Sequence, residues 1–319
     1  MKAAVRSKYG SADVLSIQEI ATPTPNANEV LVRVHATTAN RSDYHVLTGK
    51  PFLMRLFTGL FKPRQAIIGT DFAGQIESIG ENVQSFKVGD KVMGFGGGIG
   101  CGAHAQYLTF LERKGIVMMP FNVNYEQAAA CLEGTFYAAG VVVKLSPKSG
   151  QKALVYGATG AIGSAYVQLL KYFGVYVTAV CGAENAELVR LLGADKIIDY
   201  KTEDFTKDDE QYDYVFDAIG KSTFAKCKRL LNKKGIYFPS GGAENIFLVP
   251  ITKLLGGKRV AFTGSGNIKG TLEFIKTLVE KGNFKPVVDR TYPLDKIGEA
   301  FKYVATGQKI GNVVIVMDA

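Results

Sequence analysis

Residues Val155 to Gly163 read VYGATGAIG, and the apolar run KALVYGA that carries the chain into them is followed by helix-forming residues out to Phe173. Glycines stand at 157, 160 and 163, which is G-x-x-G-x-x-G between a buried strand and a helix. Each glycine has a physical job there. The first permits a tight turn, the second lets the backbone approach a pyrophosphate with no Cβ in the way, and the third leaves room for the helix to pack on the strand. The helix N-terminus then faces the diphosphate. A glycine triplet alone is weak evidence, but strand, turn and helix surround this one, so Gly157, Thr159, Gly160, Ala161, Ile162 and Gly163 are read as a dinucleotide-binding turn.

Outward from that turn the rhythm persists. VYVTAV, KIIDY, YDYVFDAIG, GIYFPSGG and RVAFTGSG read as strands apolar on both faces, with a helix at NAELVRLLG and another over Glu126 to Leu145. Such strands alternating with helices predict a parallel, doubly wound α/β sheet covered on two sides. Before Asn122 the pattern differs. Short alternating strands such as Val30 to Thr37 and Asp71 to Gly80 predict a β-rich, barrel-like unit, and Val88 to Leu108 reads as two strands joined by a glycine loop. The apolar stretch FLMRLFTGLF, Phe52 to Phe61, reads as a buried helix or a mobile flap, with core packing preferred. After Gly266 come a helix (270–281), strands near VVDRTYPL, a helix (294–306) and a last strand NVVIVM, expected to return to the first unit. The domains are therefore read as 1–122 with 267–319, and 123–266.

Composition bounds the function classes. A chain of 319 residues, 47% hydrophobic and 21% charged, holds enough apolar material for two globular domains. No apolar run is long enough to span a bilayer, and the charged start MKAAVRSKYG does not read as a secretory signal, so a soluble, cytoplasmic protein with no membrane partner is expected. The net charge of +9 divides into +4, +3 and +2 over the three segments, and this even spread argues against a nucleic-acid partner. Cys101, Cys131, Cys181 and Cys227 lie far apart without a CxxC, which speaks against both a disulfide framework and a structural zinc lobe.

The choice of nicotinamide cofactor turns on the end of the second strand. An NAD site usually has an Asp or Glu there for the ribose diol, but this chain has Cys181 and Gly182, followed by Ala183, Glu184 and Asn185. The missing carboxylate favours NADP(H), with NAD(H) possible, although the Arg or Lys expected just downstream is also missing. Tyr200 reads either as a hydroxyl donor to a 2′-phosphate or as a strand-end aromatic.

GTDFAGQIESIGENVQSFKVGDKVMG (69–94), VYGATGAIGSAYVQLLKYFG (155–174), LGADKIIDYKTEDF (192–205) and KIGNVVIV (309–316), taken in this order, resemble the medium-chain dehydrogenase/reductase superfamily, in its zinc-free quinone oxidoreductase-like branch. The resemblance covers nearly the whole chain. It implies a Rossmann doubly wound parallel sheet plus a discontinuous GroES-like substrate domain, and hydride transfer from NAD(P)H to a quinone or an α,β-unsaturated carbonyl. It also implies further cofactor contacts at Ala218, Ile219, Ser240, Gly241, Phe262, Thr263 and Asn312, a small-molecule substrate and a homodimer. Where zinc-dependent relatives carry their ligands, this chain has Asn40, Thr70 and Thr135, which are poor ligands for Zn²⁺, so no zinc is expected. Polar candidates for substrate are Asn40, Asp43, Tyr44 and Thr135, each also open to a purely structural reading. Ser42 and His45 match a proton relay of the zinc-dependent relatives. Two other readings stay open on the same fold: a metal-free alcohol dehydrogenase, and a non-catalytic NADPH-binding sensor, RNA-binding protein or lens-type crystallin. Alanine at Thr263 is expected to raise the KM for cofactor several-fold; steady-state kinetics at saturating acceptor check this, and an unchanged KM counts against the reading.

Overall fold

Short β-branched runs punctuated by turn residues build the first part of the chain, and the computed structural model describes residues 1–241, 243–262, 264 and 266–317. In order these are β1 (Lys2–Val5), β2 (Ser16–Glu19), β3 (Glu29–Thr38), α1 (Arg41–Thr48), α2 (Met54–Thr58), β4 (Asp71–Ile79), β5 (Lys91–Phe95), β6 (Tyr107–Leu111), β7 (Ile116–Met118) and α3 (Tyr125–Ala130). The alternating part follows: α4 (Glu133–Leu145), β8 (Lys152–Tyr156), α5 (Ala161–Tyr172), β9 (Tyr176–Cys181), α6 (Ala186–Leu191), β10 (Lys196–Asp199), β11 (Tyr212–Asp217), α7 (Phe224–Cys227), β12 (Leu231–Pro239), α8 (Ala243–Leu255) and β13 (Arg259–Val260). The chain ends with α9 (Ile268–Glu280), β14 (Val288–Pro293), α10 (Ile297–Thr306) and β15 (Asn312–Val316).

These elements cluster into two units, one of Met1–Glu133, Asn267–Gly282 and Pro286–Ala319, the other of Gly134–Gly266 and Asn283–Lys285. Residues 123–133, which the sequence rhythm attaches to the α/β part, cluster with the first unit because α3 lays its buried Ala128, Ala129 and Ala130 against β3 and β4.

In the first unit, β3 is the organising strand. One edge pairs antiparallel with β4, while the other is shared between β6 (Glu29 to Arg33) and β15 (Ala36 to Thr38). Its alternating residues Val30, Val32 and Val34 reach a core with Phe72, Ile76, Val92, Phe110 and Ile116. A second core lies beneath α1 and α10, around Leu47, Ile68, Phe301 and Val313. The strands within Val88 to Leu108 do not form the expected hairpin: β5 pairs with β4 and β7, whereas β6 pairs with β3. The glycine loop between them is held instead along Ile68 to Thr70, through Gly96 N to Thr70 O, Cys101 N to Gly69 O and His104 N to Ile68 O.

Two other expectations are corrected. Glu126 to Leu145 is two helices, α3 and α4, because the chain turns at Cys131 and Leu132. The Phe52 to Phe61 segment is not core. It forms short α2 with Phe57 62% and Phe61 90% exposed, and Phe52, Leu53 and Leu56 are exposed too. What packs is its polar side: Tyr9 Oη meets Thr58 Oγ1 at 2.8 Å and donates to Gly59 O at 2.6 Å, and the Arg55 guanidinium lies 4.7 Å from the Tyr9 ring centroid.

The second unit is a six-stranded parallel sheet in the order β10-β9-β8-β11-β12-β13. Its core gathers Leu154, Val180, Ile198, Val215, Leu231 and Tyr237. The order reverses between β8 and β11, the place where sheets of this kind open a crevice beyond the strand ends. The edge strand β13 is only two residues long, shorter than RVAFTGSG suggests, and α8 was not legible beforehand. Tyr9→Phe is expected to loosen the 52–61 segment at a cost of about 1 kcal/mol. Faster tryptic cleavage after Arg55 and Lys62 with a nearly unchanged thermal midpoint is the readout.

Candidate functional site

Two groups of residues carry chemistry, one in each unit. In the second unit the turn after β8 sits at the sheet's switch point. Gly157 has φ +80°, and a Cβ there would meet Ile219 Cγ2 at 2.4 Å; at Gly163 a Cβ would lie 2.0 Å from the Gly157 carbonyl oxygen. Those two glycines serve packing. Gly160 differs, since its nearest neighbour to a Cβ would be 3.6 Å away. Space is left open there, at the N-cap of α5, where the amides of the first turn point outward without helical partners. Thr159, Ala161 and Ile162 are half-buried around it. Room for an approaching group beside helix-start amides is what a dinucleotide pyrophosphate needs.

Farther along the same strand ends, Cys181 closes β9, buried, with its thiol pushed up to about 11 by burial. Gly182 accepts the Asn185 N–H, turning the chain away. Tyr200 is half exposed, and the adjoining Lys201 Nζ bridges to Glu184 Oε1 at 2.7 Å. That lysine lies 20 residues beyond the end of β9. Ala218 and Ile219 belong to a loop wound around buried Asp217, whose carboxylate accepts from the backbone N–H of Ile219, Gly220 and Ser222 and from Tyr237 Oη. Ser240 is exposed with its N–H on Asp217 O, Gly241 has open space around it, and Phe262 is half exposed. Thr263 lies outside the described residues, and Thr135 is buried on the first turn of α4.

Asn312 belongs to the first unit, where its amide nitrogen donates to Ala130 O and Val287 O at 3.1 Å each. Those bonds give it a structural duty, tying β15 to α3.

The first unit holds the other group. Asn40 is the N-cap of α1, and Asp43 Oδ2 accepts the Asn40 N–H at 2.9 Å, a capping box that explains a helix the strand pattern hid. Asp43 is buried; burial, then the charges of Glu133 and Asp71, push its carboxyl well above the usual range. Its Oδ1 makes no hydrogen bond of ordinary geometry, with the Thr70 hydroxyl lying against the carboxyl. Tyr44 is half-buried and packs against the core around Leu47 and Phe301.

Three participants were missed. Asp71, fully buried, accepts from Thr38 N at 2.9 Å, Thr38 Oγ1 at 2.7 Å and the Glu133 N–H, yet burial still lifts it to about 6. Glu133, also buried, accepts the Ser42 hydroxyl and is pushed up to about 7 by burial and by Asp71. Lys309, close to Glu133, is lowered to about 8 by burial. The visible signal was one acid inside AAACLEGTFYAAG. Among the described residues no group of three or more His, Cys, Asp or Glu side chains is arranged to hold a metal ion.

Residues 26–121 match the alcohol dehydrogenase GroES-like domain and residues 192–315 the zinc-binding dehydrogenase domain. A chloroplast envelope quinone oxidoreductase homolog of Arabidopsis thaliana is 32% identical over 323 residues, 96% of this chain and 95% of that protein. The NADPH-dependent alkenal/one oxidoreductase of the same plant is 32% identical over 326 residues, covering 99% of this chain and 79% of the relative. The quinone oxidoreductase structure from Coxiella burnetii superposes with a TM-score of 0.88 over 100% of this chain and 99% of its own at 24% identity, a shared fold.

Gly160→Ala is expected to leave the thermal midpoint within about 1 kcal/mol of wild type while weakening dinucleotide binding at least tenfold, because the methyl group takes up that room. Gly163→Ala should instead destabilise the protein outright. Thermal melts and cofactor fluorescence titrations separate the two.

Proposed function

Since the chain belongs to the zinc-free, quinone oxidoreductase-like branch of the medium-chain dehydrogenase/reductase superfamily, we propose that it is a zinc-independent oxidoreductase reducing quinones or α,β-unsaturated carbonyls. Relatives named for quinone and for alkenal/one reduction support that substrate class. The observation that carries the reading is the room left beside Gly160 at the start of α5, on the switch point of a parallel sheet, and the resemblance that sets Asn40, Thr70 and Thr135 where zinc-dependent relatives carry ligands supports it. When bound, the reduced nicotinamide supplies a hydride. The protein's own part is to hold the dinucleotide and to place polar groups where charge develops on the substrate oxygen. Conjugated acceptors suit such a site because they spread that charge.

NADPH is the cofactor we favour over NADH. Gly182 stands where a diol-binding carboxylate would be, and Lys201 with Tyr200 offers a cation and a hydroxyl to a 2′-phosphate. The Lys201–Glu184 pair is surface-exposed and therefore weak, so a phosphate can take the lysine over. Pairing through the sheet edge at β13 would give a homodimer.

Chelator-treated protein should oxidise NADPH with quinones or enones faster than with simple aldehydes, and Lys201→Ala should raise KM for NADPH several-fold while sparing that for NADH. Absorbance loss from each dinucleotide across the acceptor panel checks both. Tight binding with no oxidation by any acceptor would point to a nucleotide sensor, and a requirement for added zinc would overturn the metal-free reading.

A further inference from the structure

We propose that the segment from Lys50 to Arg64 is a membrane-docking knob, which seats its outward phenylalanines and leucines at the edge of a bilayer's acyl chains and its cations on anionic phospholipid headgroups. Docking of this kind needs neither cofactor nor acceptor, so it stands independently of the reductase reading above.

The exposed hydrocarbon is grouped. Leu53 at the N-cap of α2, with Leu56 and Phe57 on the helix itself, faces solvent, and Leu60 and Phe61 just beyond continue the exposed run. The inward positions between them are taken by Met54, which packs against the core beneath α1, and by buried Thr58. Single exposed apolar residues are ordinary on a protein surface, whereas a contiguous set marks a place where something else sits.

The backbone beneath this surface is closed on itself. Met54 N donates to Pro51 O at 2.9 Å, Gly59 N to Arg55 O at 2.8 Å and Arg64 N to Thr58 O at 2.8 Å. Gly59 has φ +121°, and a Cβ there would lie 2.1 Å from Lys62 O, so the turn into residues 60–62 needs glycine. Tyr9 holds the knob from below at Thr58 and Gly59, and Arg55 Nε donates to Gly49 O at 3.3 Å. The segment is therefore fixed with its apolar side chains outward. Amides paired within the knob also suit the boundary of the hydrocarbon, where water is no longer at hand to bond them.

Charge selects the occupant. From Tyr44 to Thr70 the chain carries Lys50, Arg55, Lys62 and Arg64 and no Asp or Glu. The acids at either end of that stretch, Asp43 and Asp71, are buried. Lys50, Lys62 and Arg64 are exposed and bracket the apolar run, and their long stems let the charges stay at headgroup level while the rings go deeper. A second copy of the chain fits poorly, because a two-fold contact would lay this patch on itself and set cation against cation with no carboxylate between them. An anionic bilayer supplies both halves, acyl chains for the rings and leucines and phosphates for the cations. The expectation of no membrane partner rests on the lack of a spanning run, and docking requires none. No described helix is long and apolar enough to cross a membrane, but this segment need only lie on one.

The chain contains no tryptophan, so Phe61→Trp, at a position 90% exposed, puts a single indole on the knob without disturbing the core. In the full chain its emission should shift to the blue on vesicles of phosphatidylcholine and phosphatidylglycerol in equal parts, and a doxyl label high on the acyl chain should quench it. Wild type should float with those vesicles and bind pure phosphatidylcholine about tenfold or more weakly. Phe57→Ser combined with Phe61→Ser should weaken binding to the mixed vesicles about tenfold or more with an unchanged thermal midpoint, and Lys62→Glu combined with Arg64→Glu should do the same. If wild type does not float with the mixed vesicles, or if the paired serine exchanges leave flotation intact, the knob is overturned. It is overturned equally if those exchanges abolish a dimer seen by sedimentation velocity without lipid, since the face would then be a contact between copies.

Discussion

Between Gly163 and the carbonyl of Gly157 there is no room for even a methyl group, and that close approach sets α5 onto the end of β8. Because the two backbones touch, the first turn of α5 begins at the switch point of the sheet, with its amides directed beyond the strand ends. A second close approach continues the arrangement: a Cβ at Gly134, on α4, would lie 2.7 Å from the Ala161 carbonyl carbon. Gly160, between these tight contacts, keeps its Cα side open, with only the Gly157 carbonyl oxygen near an added Cβ. Its chemistry follows from backbone dipoles, so it needs no particular side chain.

The first unit solves a different problem by the opposite means. It brings Asp43, Asp71 and Glu133 into a buried region and holds each with local donors: an N-cap amide, two threonines and a helix-start N–H, and a serine. Burial leaves these carboxyls with unequal acidity. Their spread, with Asp71 near 6, Glu133 near 7 and Lys309 near 8, spans neutrality. For the acids, whose folded values lie above their unfolded ones, the linked stability is fully present below the unfolded values of about 4 and is lost as pH rises through the folded ones. His104 works in the other direction, lowered to about 4 by burial, so its contribution is lost as pH falls toward that value.

The glycine turn and the parallel strands were readable because each is a local pattern whose physical requirement is itself local. What escaped notice joins distant positions or defies averages. Ser42 and Glu133 are 91 residues apart, and no periodicity connects them. Lys201, paired with Glu184, lies in the turn after β10, well past the residues just beyond β9 where a sequence scan looks for a cation. Helix α1 was hidden because its cap, Asn40 with Asp43, resembles turn chemistry until the helix beyond it is seen. Apolar content misled at Phe52 to Phe61, where the polar residues Tyr9, Arg55 and Thr58 anchor the segment and the hydrocarbon faces outward.

That outward-facing segment has a calorimetric consequence. Phe52, Leu53, Leu56, Phe57 and Phe61 expose a sizeable hydrocarbon surface to solvent while Tyr9 fixes the backbone beneath them. Contacts beside Gly160 would be polar and would change the heat capacity little. Anything that settles on the aromatic and leucine side chains would release their hydration shell and carry a negative heat-capacity increment. Heats of binding measured at several temperatures would therefore distinguish occupants of the two regions by the slope of enthalpy against temperature, whatever their affinities.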